Sequence, residues 1–314
     1  MAKGFFTQSA IVLFDGPVAV DALMALLAPL GASTRTDADT PSWMSRPSLL
    51  VPMRPEVNGY VVVDVVDEPW PDLMGDPQEQ VELFGAWSMG FFGPWVFPGN
   101  LARAQAMCFS WRGATEVSSR HRAFVRIKSS YILGGADDAP VLPADYDPLA
   151  ELKFVTDVAR AVLKAPGALA YFNPNGEVLR SPAGVDEELA WHAEHDVLPL
   201  ALWSNMRLFQ LAPGWSVMDT LGMEQLDVTD HEACFPEGDY DPGEVDAFLR
   251  NVSLYVLARG PVIKPGDTVD GPGGVRWQAH PVENSLAPQP RPVLRWLPQD
   301  GSRPPLDAHG HGAS

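Results

Sequence analysis

The sequence has 314 residues, with 22 Lys and Arg against 40 Asp and Glu, so its formal net charge is −18. Hydrophobic residues make up 46% of the chain and charged residues 20%, a globular balance that excludes global disorder. The acidic charge argues against a nucleic-acid or membrane partner, because phosphates and anionic lipids attract basic surfaces. An acidic surface suits a basic protein partner, and the alternative, which is the commoner case, is that the charge only keeps the protein in solution.

The cysteine count and the lack of long apolar stretches predict the compartment of the protein. Two cysteines cannot build a disulfide framework. The first residues lack the apolar stretch of a signal peptide, and no run approaches the roughly 20 apolar residues that span a bilayer. We therefore expect a cytoplasmic protein with reduced thiols. Because the glycine-rich stretch 271–274 lacks the Lys-Ser/Thr of a phosphate-binding loop, we expect no cofactor.

The first half of the chain alternates between strands and helices. Apolar periodicity and turn residues predict strands at 11–14, 48–53, 60–66 and 123–127, and helices at 18–30, 80–88 and 100–111. Near the last strand lies the densest basic run, which comprises Arg120, His121, Arg122, Arg126 and Lys128. Its alternate spacing predicts the solvent-facing side of a strand.

The second half follows a loop at 134–148 that is the best candidate for a domain boundary. Helices are predicted at 149–164, 186–194 and 242–259, a hairpin at 168–180, and strands at 198–211, 215–220, 262–277 and 293–297. The order predicts an α+β fold of antiparallel or mixed sheets with helices packed on one face, and it also allows two ferredoxin-like (split βαβ) halves. The predicted organisation is an N-terminal α+β half (1–135), a C-terminal α+β half (148–297) and a disordered tail (298–314).

Three segments carry a family resemblance. They are Trp215-Ser-Val-Met-Asp-Thr-Leu-Gly-Met-Glu-Gln-Leu-Asp227, the helix and turn at 254–268 that end in Gly-Asp-Thr, and the N-terminal Ile-Val-Leu-Phe at 11–14. Together they resemble the uncharacterised bacterial family called domain of unknown function 4261, with the specific part at 219–277. The family carries no established activity, so the resemblance implies a bacterial α+β protein and no mechanism. Within this segment, Pro265-Gly266 predicts a type II turn with positive φ at Gly266.

Acidic residues cluster in the same region. Carboxylates beside an imidazole suit a divalent metal, but their spacing matches no standard metal loop, so a solvated acidic loop is the alternative. The acidic candidates are Asp219, Glu224, Asp227, Asp230 and Glu232.

Two histidines, His192 and His195, lie three residues apart and would share one helix face. With Asp227 and His231 they define a hypothetical metal-dependent hydrolase, although the order of Glu and His differs from H-E-x-x-H. Exposed histidines at a helix end are the alternative.

The most distinctive segment is aromatic. Five rings lie within eleven residues broken by Gly and Pro, and they are Trp87, Phe91, Phe92, Trp95 and Phe97. Full burial would indicate a core loop, contiguous exposure a protein-binding surface, and a concave lining with one polar group a small-molecule site.

These observations favour a non-catalytic, protein-binding module, because no recognised catalytic set is present. An immunity or adaptor role against a basic toxin or enzyme is one concrete form. The metal-dependent hydrolase is the alternative, and the oligomeric state is left open.

Overall fold

The computed structural model describes residues 3–35, 42–135, 139–302 and 304–305. It has an α+β fold that divides into an N-terminal unit, Met1–Trp203, and a C-terminal unit, Ser204–Ser314. The predicted boundary at 135–148 differs from this division, because the strand Ala168–Asn173 pairs with the first strand of the N-terminal sheet. In the predicted tail, Pro298 is part of the last strand, and residues 303 and 306–314 lie outside the described residues.

The N-terminal unit is built on a seven-stranded sheet in the order β2-β3-β4-β5-β1-β6-β7, with every neighbouring pair antiparallel. Its strands are β1 (Ser9–Phe14), β2 (Ser33–Arg35), β3 (Ser48–Arg54), β4 (Gly59–Val66), β5 (Ala123–Ser130), β6 (Ala168–Asn173) and β7 (Val178–Arg180). Its helices are α1 (Val20–Leu27), α2 (Val81–Ser88), α3 (Asn100–Ala106), α4 (Val117–Arg120), α5 (Pro148–Val162) and α6 (Pro182–His195).

The two faces of this sheet are covered differently. Helix α5 begins at the N-cap Asp147, whose carboxylate accepts from Leu149 N and Ala150 N, and it buries its apolar stripe against β1 and β5. The opposite face carries a core rich in aromatic rings from α2 and the segment after it. A split βαβ arrangement would place β1 beside β4, but β5 lies between them. The ferredoxin-like alternative is therefore wrong for this unit, because the basic strand β5 occupies the centre of the sheet.

The C-terminal unit has a six-stranded sheet in the order β11-β12-β13-β10-β9-β8, in which β10 and β13 are parallel and the other neighbours antiparallel. Helix α7 packs its apolar stripe on one face of the sheet. The elements are β8 (Asn205–Ala212), β9 (Trp215–Leu221), β10 (Asp230–Pro236), α7 (Pro242–Arg259), β11 (Thr268–Asp270), β12 (Arg276–Val282) and β13 (Val293–Pro298).

The turn before β11 has the predicted geometry. Gly266 has φ +85°, and Asp267 N donates to Lys264 O at 3.1 Å, as in a type II turn. The Asp267 carboxylate closes the turn by accepting from Lys264 N at 2.8 Å. The prediction for Gly266 is confirmed.

Among the described residues, the helices fall short of the length and apolar content that crossing a membrane requires.

Candidate functional site

A buried charge cluster lies at the centre of the N-terminal sheet. Arg126 on β5 contacts the Asp64 carboxylate on β4 through Nε at 3.1 Å and Nη2 at 2.5 Å. The Lys128 Nζ lies 3.6 Å from the same carboxylate. Arg126 and Lys128 are 0% and 2% exposed, so the prediction that they face solvent is wrong. They are buried because Asp64 pairs with them and aromatic rings cover this face.

The cluster holds more positive than negative charge. When Lys128 is protonated, two cations share one carboxylate, and Arg126 takes the close contacts. Although burial opposes it, the charges of Arg126 and Lys128 lower the pKa of Asp64. Burial, followed by the charge of Arg126, lowers the pKa of Lys128 from 10.5 to about 7, against the opposing effect of Asp64. At neutral pH, Lys128 is therefore divided between ammonium and free amine.

Lys128 lines a pocket of about 290 Å³, here called the Lys128 pocket. The Nζ lies 4.3 Å from the ring centroid of Phe6 and 4.9 Å from that of Phe91. Asp64 and Arg46 also line it. A cavity of about 150 Å³ is enough to hold benzene. The Lys128 pocket therefore has room for a ring or short alkyl chain together with one polar group.

The predicted aromatic segment is divided between core and pocket. Trp87 and Phe92 are 7% and 1% exposed and stack at a centroid distance of 4.6 Å, so they belong to the core. Phe91 and Trp95 are half-buried, whereas Phe97 is 39% exposed. Phe91 lines the Lys128 pocket, which is the concave arrangement typical of small-molecule sites.

The rest of the segment borders a second pocket of about 540 Å³. Three residues that line it are exposed to between about two fifths and half of their surface: Phe5 at 50%, Met89 at 45% and Phe97 at 39%. The bend at Gly93 requires glycine, because φ is +123° and an added Cβ would lie 2.3 Å from Ser9 Oγ. Phe5, Met89 and Phe97 form an apolar rim around this pocket, here called the aromatic rim.

A second set of buried charges crosses the C-terminal sheet. Strand register places Arg207 opposite Asp219, Asp219 opposite Glu232 and Glu232 opposite Arg295, so the four lie in one row on four neighbouring strands. Each is at most 1% exposed. Three chain neighbours of the row residues point to the other face of the sheet, because successive strand side chains alternate. They are Met218, Ala233 and Trp296, which pack against α7 in the apolar core. The row therefore occupies the face opposite α7, where its charges neutralise one another.

The loop between β12 and β13 completes this row. Arg291 Nη2 lies 2.7 Å from Asp219 Oδ2, and its Nε lies 2.9 Å from Asp230 Oδ2. Although burial opposes it, Asp230 and Asp219 raise the pKa of Arg291. Asp230 also accepts from Thr220 Oγ1 at 2.9 Å and from Met223 N at 3.0 Å. It thereby fixes the Thr-Leu-Gly-Met turn of the family motif.

The acidic candidates consequently have different roles. Asp219, Asp230 and Glu232 lie on strands and are buried by arginines, so the prediction of a solvated acidic loop is wrong for these three. Their partners Arg207, Arg291 and Arg295 lie outside the acidic segment. Glu224 is half-buried and Asp227 is exposed, in a left-handed conformation with φ +59°.

The described residues contain no group of three or more His, Cys, Asp or Glu side chains that could hold a metal ion. His192 Nε2 lies 2.9 Å from Glu188 Oε1, and the ring of His195 stacks on Trp191 at 4.3 Å, both on α6. His231 is 1% exposed on β10, and its Nδ1 accepts from Trp296 Nε1 at 3.3 Å. The geometry needed by the hydrolase hypothesis is therefore absent among these residues.

The sequence reasoning missed Asp64, Arg126 and Lys128 as a site. A signal was present, because Asp64 interrupts the run Val-Val-Val-Asp-Val-Val at 61–66. A carboxylate inside a buried strand requires a cationic partner. The alternating cations of β5 are the strand residues able to supply it.

Comparison with known proteins supports the family resemblance and adds no other relative. Residues 219–297 match the family model described as Domain of unknown function (DUF4261). This match confirms the resemblance, and it covers the C-terminal unit from Asp219 on β9 to Leu297 on β13. Neither a curated protein nor a solved structure matches the chain. Of the charged row, the matched segment includes Asp219, Glu232 and Arg295 but not Arg207.

Proposed function

We propose that this protein is a non-catalytic binding module whose N-terminal unit holds a small organic anion in the Lys128 pocket. The observation that carries the proposal is the position of the Lys128 Nζ, which lies between the rings of Phe6 and Phe91 in a pocket of mixed apolar and polar lining. An apolar body would pack against these rings, and an anionic oxygen would meet the ammonium.

The charges in the pocket favour an anion. At 3.6 Å, the Asp64 carboxylate is too far from Nζ for a strong hydrogen bond. A ligand carboxylate about 2.7–2.9 Å from Nζ would form a stronger hydrogen bond than Asp64 does. Its charge would also balance the second cation of the cluster. Although the whole chain is acidic, this local excess of positive charge governs binding because surface charges are screened over about 8–10 Å.

A fluorescent anion tests the proposal. We expect anilinonaphthalene sulfonate to bind the folded wild-type protein with one saturable site and to be displaced by octanoate. Lys128→Met should weaken binding by about tenfold or more, because a hydrogen bond to a charged group contributes about 1.5–3 kcal/mol. Lys164→Met, at an exposed lysine, is the matched control and should bind as wild type does. Equal affinity in Lys128→Met and wild type, with both folded by circular dichroism, would refute this function.

A second candidate function is the binding of a basic protein partner at the aromatic rim. It is supported by the exposure of Phe5, Met89 and Phe97 around one pocket, and by the net charge of −18. Aromatic residues and Met are enriched in the centres of interfaces. The rim would bury apolar side chains of the partner while the acidic surface attracts it.

Selection from a phage-displayed library of random peptides tests this second function. We expect enriched peptides to combine Lys or Arg with apolar residues, and we expect the double variant Met89→Ser, Phe97→Ser to lose at least tenfold in their affinity. The matched control is Leu73→Ser, which changes a 71% exposed apolar residue that does not line the second pocket. Peptides that bind the double variant as tightly as wild type would exclude the rim as the binding surface.

A further inference from the structure

We infer that Lys128 is a nucleophilic amine that forms a reversible imine with an aldehyde or ketone bound in the Lys128 pocket. The inference rests on the proposed function, because it uses the same pocket, and it adds a covalent chemistry and a carbonyl ligand class.

The first argument is the environment of the nitrogen. Lys128 is 2% exposed, and its Nζ lies beside the rings of Phe6 and Phe91 in a pocket whose apolar walls include Val62 and Ile132. The burial of Lys128 limits the contact of Nζ with water, which would otherwise hydrolyse an imine. A carbonyl compound that packs against the rings would present its carbon to Nζ.

The second argument is the neighbouring cation. Arg126 takes the close contacts with Asp64 through Nε and Nη2, whereas the Lys128 Nζ lies 3.6 Å away, so Asp64 holds Lys128 as an ammonium only weakly. A lysine that is desolvated and adjacent to another cationic group is an activated nucleophile. The lowered pKa of Lys128, about 7, agrees with this geometry and leaves free amine available at neutral pH.

The chemistry needs no further reactant. The nitrogen lone pair attacks the carbonyl carbon, an N–C bond forms, and the C=O π electrons move to oxygen. Transfer of one proton from nitrogen to oxygen gives a carbinolamine. The nitrogen then loses its second proton, the hydroxyl leaves with a proton as water, and the C=N bond forms. Addition of water reverses every step.

Reductive trapping tests the inference. The full chain is incubated with benzaldehyde and sodium cyanoborohydride at pH 7.5, and the labelled lysines are identified by peptide mass spectrometry. We expect Lys128 to be labelled at least tenfold more than the exposed Lys153, Lys164 and Lys264. Lys128→Arg, which keeps the charge, should abolish this label, whereas Lys164→Arg should leave it unchanged. In urea all lysines should react alike, which shows that the selectivity requires the fold.

The outcomes separate this inference from the proposed function. Labelling of Lys128 no greater than that of the exposed lysines overturns the imine, and if the anilinonaphthalene sulfonate still binds at Lys128, the anion-binding function stands. Selective labelling without anion binding supports the imine and refutes the anion function. The absence of both refutes both.

Discussion

Replacing Asp219 with Asn is expected to lower the free energy of unfolding of the C-terminal unit by about 3–5 kcal/mol. The Asp219 carboxylate is fully buried and accepts from Arg207 Nε at 3.0 Å and from Arg291 Nη2 at 2.7 Å. The amide keeps the shape but removes the charge, and it replaces one acceptor oxygen with an NH2 group that faces a guanidinium donor. The row is left with excess buried positive charge, a large cost in a medium of low dielectric. Calorimetric unfolding measures the effect.

Two controls make this prediction specific. Asp270→Asn changes a carboxylate whose side chain is 90% exposed, and it should alter stability by less than about 1 kcal/mol. Adding Arg207→Met to Asp219→Asn should recover part of the loss, because one unpaired cation is removed as well. A loss below about 1 kcal/mol in Asp219→Asn would show that the row is hydrated rather than desolvated.

The second large effect concerns acid. Burial lowers the pKa of His231 from 6.5 to about 4, with a weaker opposing effect from Asp230. Between these pH values the unfolded chain binds a proton that the folded chain excludes, so stability is lost as pH falls from 6.5 through 4. The loss attributable to His231 reaches about 3 kcal/mol at pH 4. Calorimetry from pH 7.5 to 4 should show this decline in the C-terminal unit.

His231→Phe isolates the contribution. The variant loses the acceptor for Trp296 Nε1, which lowers its stability at every pH, but it cannot bind the proton. Its stability should therefore change less than wild type between pH 6.5 and 4.5. The exposed His195 provides the control, because His195→Phe should keep the wild-type slope. Parallel slopes for wild type and His231→Phe would mean that His231 does not govern the decline.

Local patterns predicted most elements but not their arrangement. The amphipathic stripe of α5 and the Asn-Pro-Asn-Gly turn between β6 and β7 depend on neighbouring residues, so sequence patterns identify them. The pairing of β1 with β5 and β6 depends on residues more than 100 positions apart. No periodicity reports such pairing, which explains both the displaced domain boundary and the incorrect ferredoxin-like topology.

The candidate sites were hidden for a related reason. Alternating charges on a strand normally indicate a solvated face, and that rule fails at Arg126 and Lys128 because Asp64 and the aromatic segment cover them. The sequence identifies the five rings as one segment, but it offers no means of telling the core rings from those that line pockets. The high density of acidic residues from Asp219 to Glu232 suggested that they are exposed to solvent. Three of them are buried instead, because they pair with arginines that lie elsewhere in the sequence.

The parallel pairing of β10 with β13 has a consequence for synthesis on the ribosome. When β9 and β10 have emerged, Arg291 and Arg295 have not yet been made, so Asp219, Asp230 and Glu232 lack most of their counterions. The three carboxylates keep that face of the nascent hairpin in water and oppose its premature collapse or aggregation. Burial becomes favourable only when β13 arrives, so completion of this unit is delayed until its last strand has left the exit tunnel.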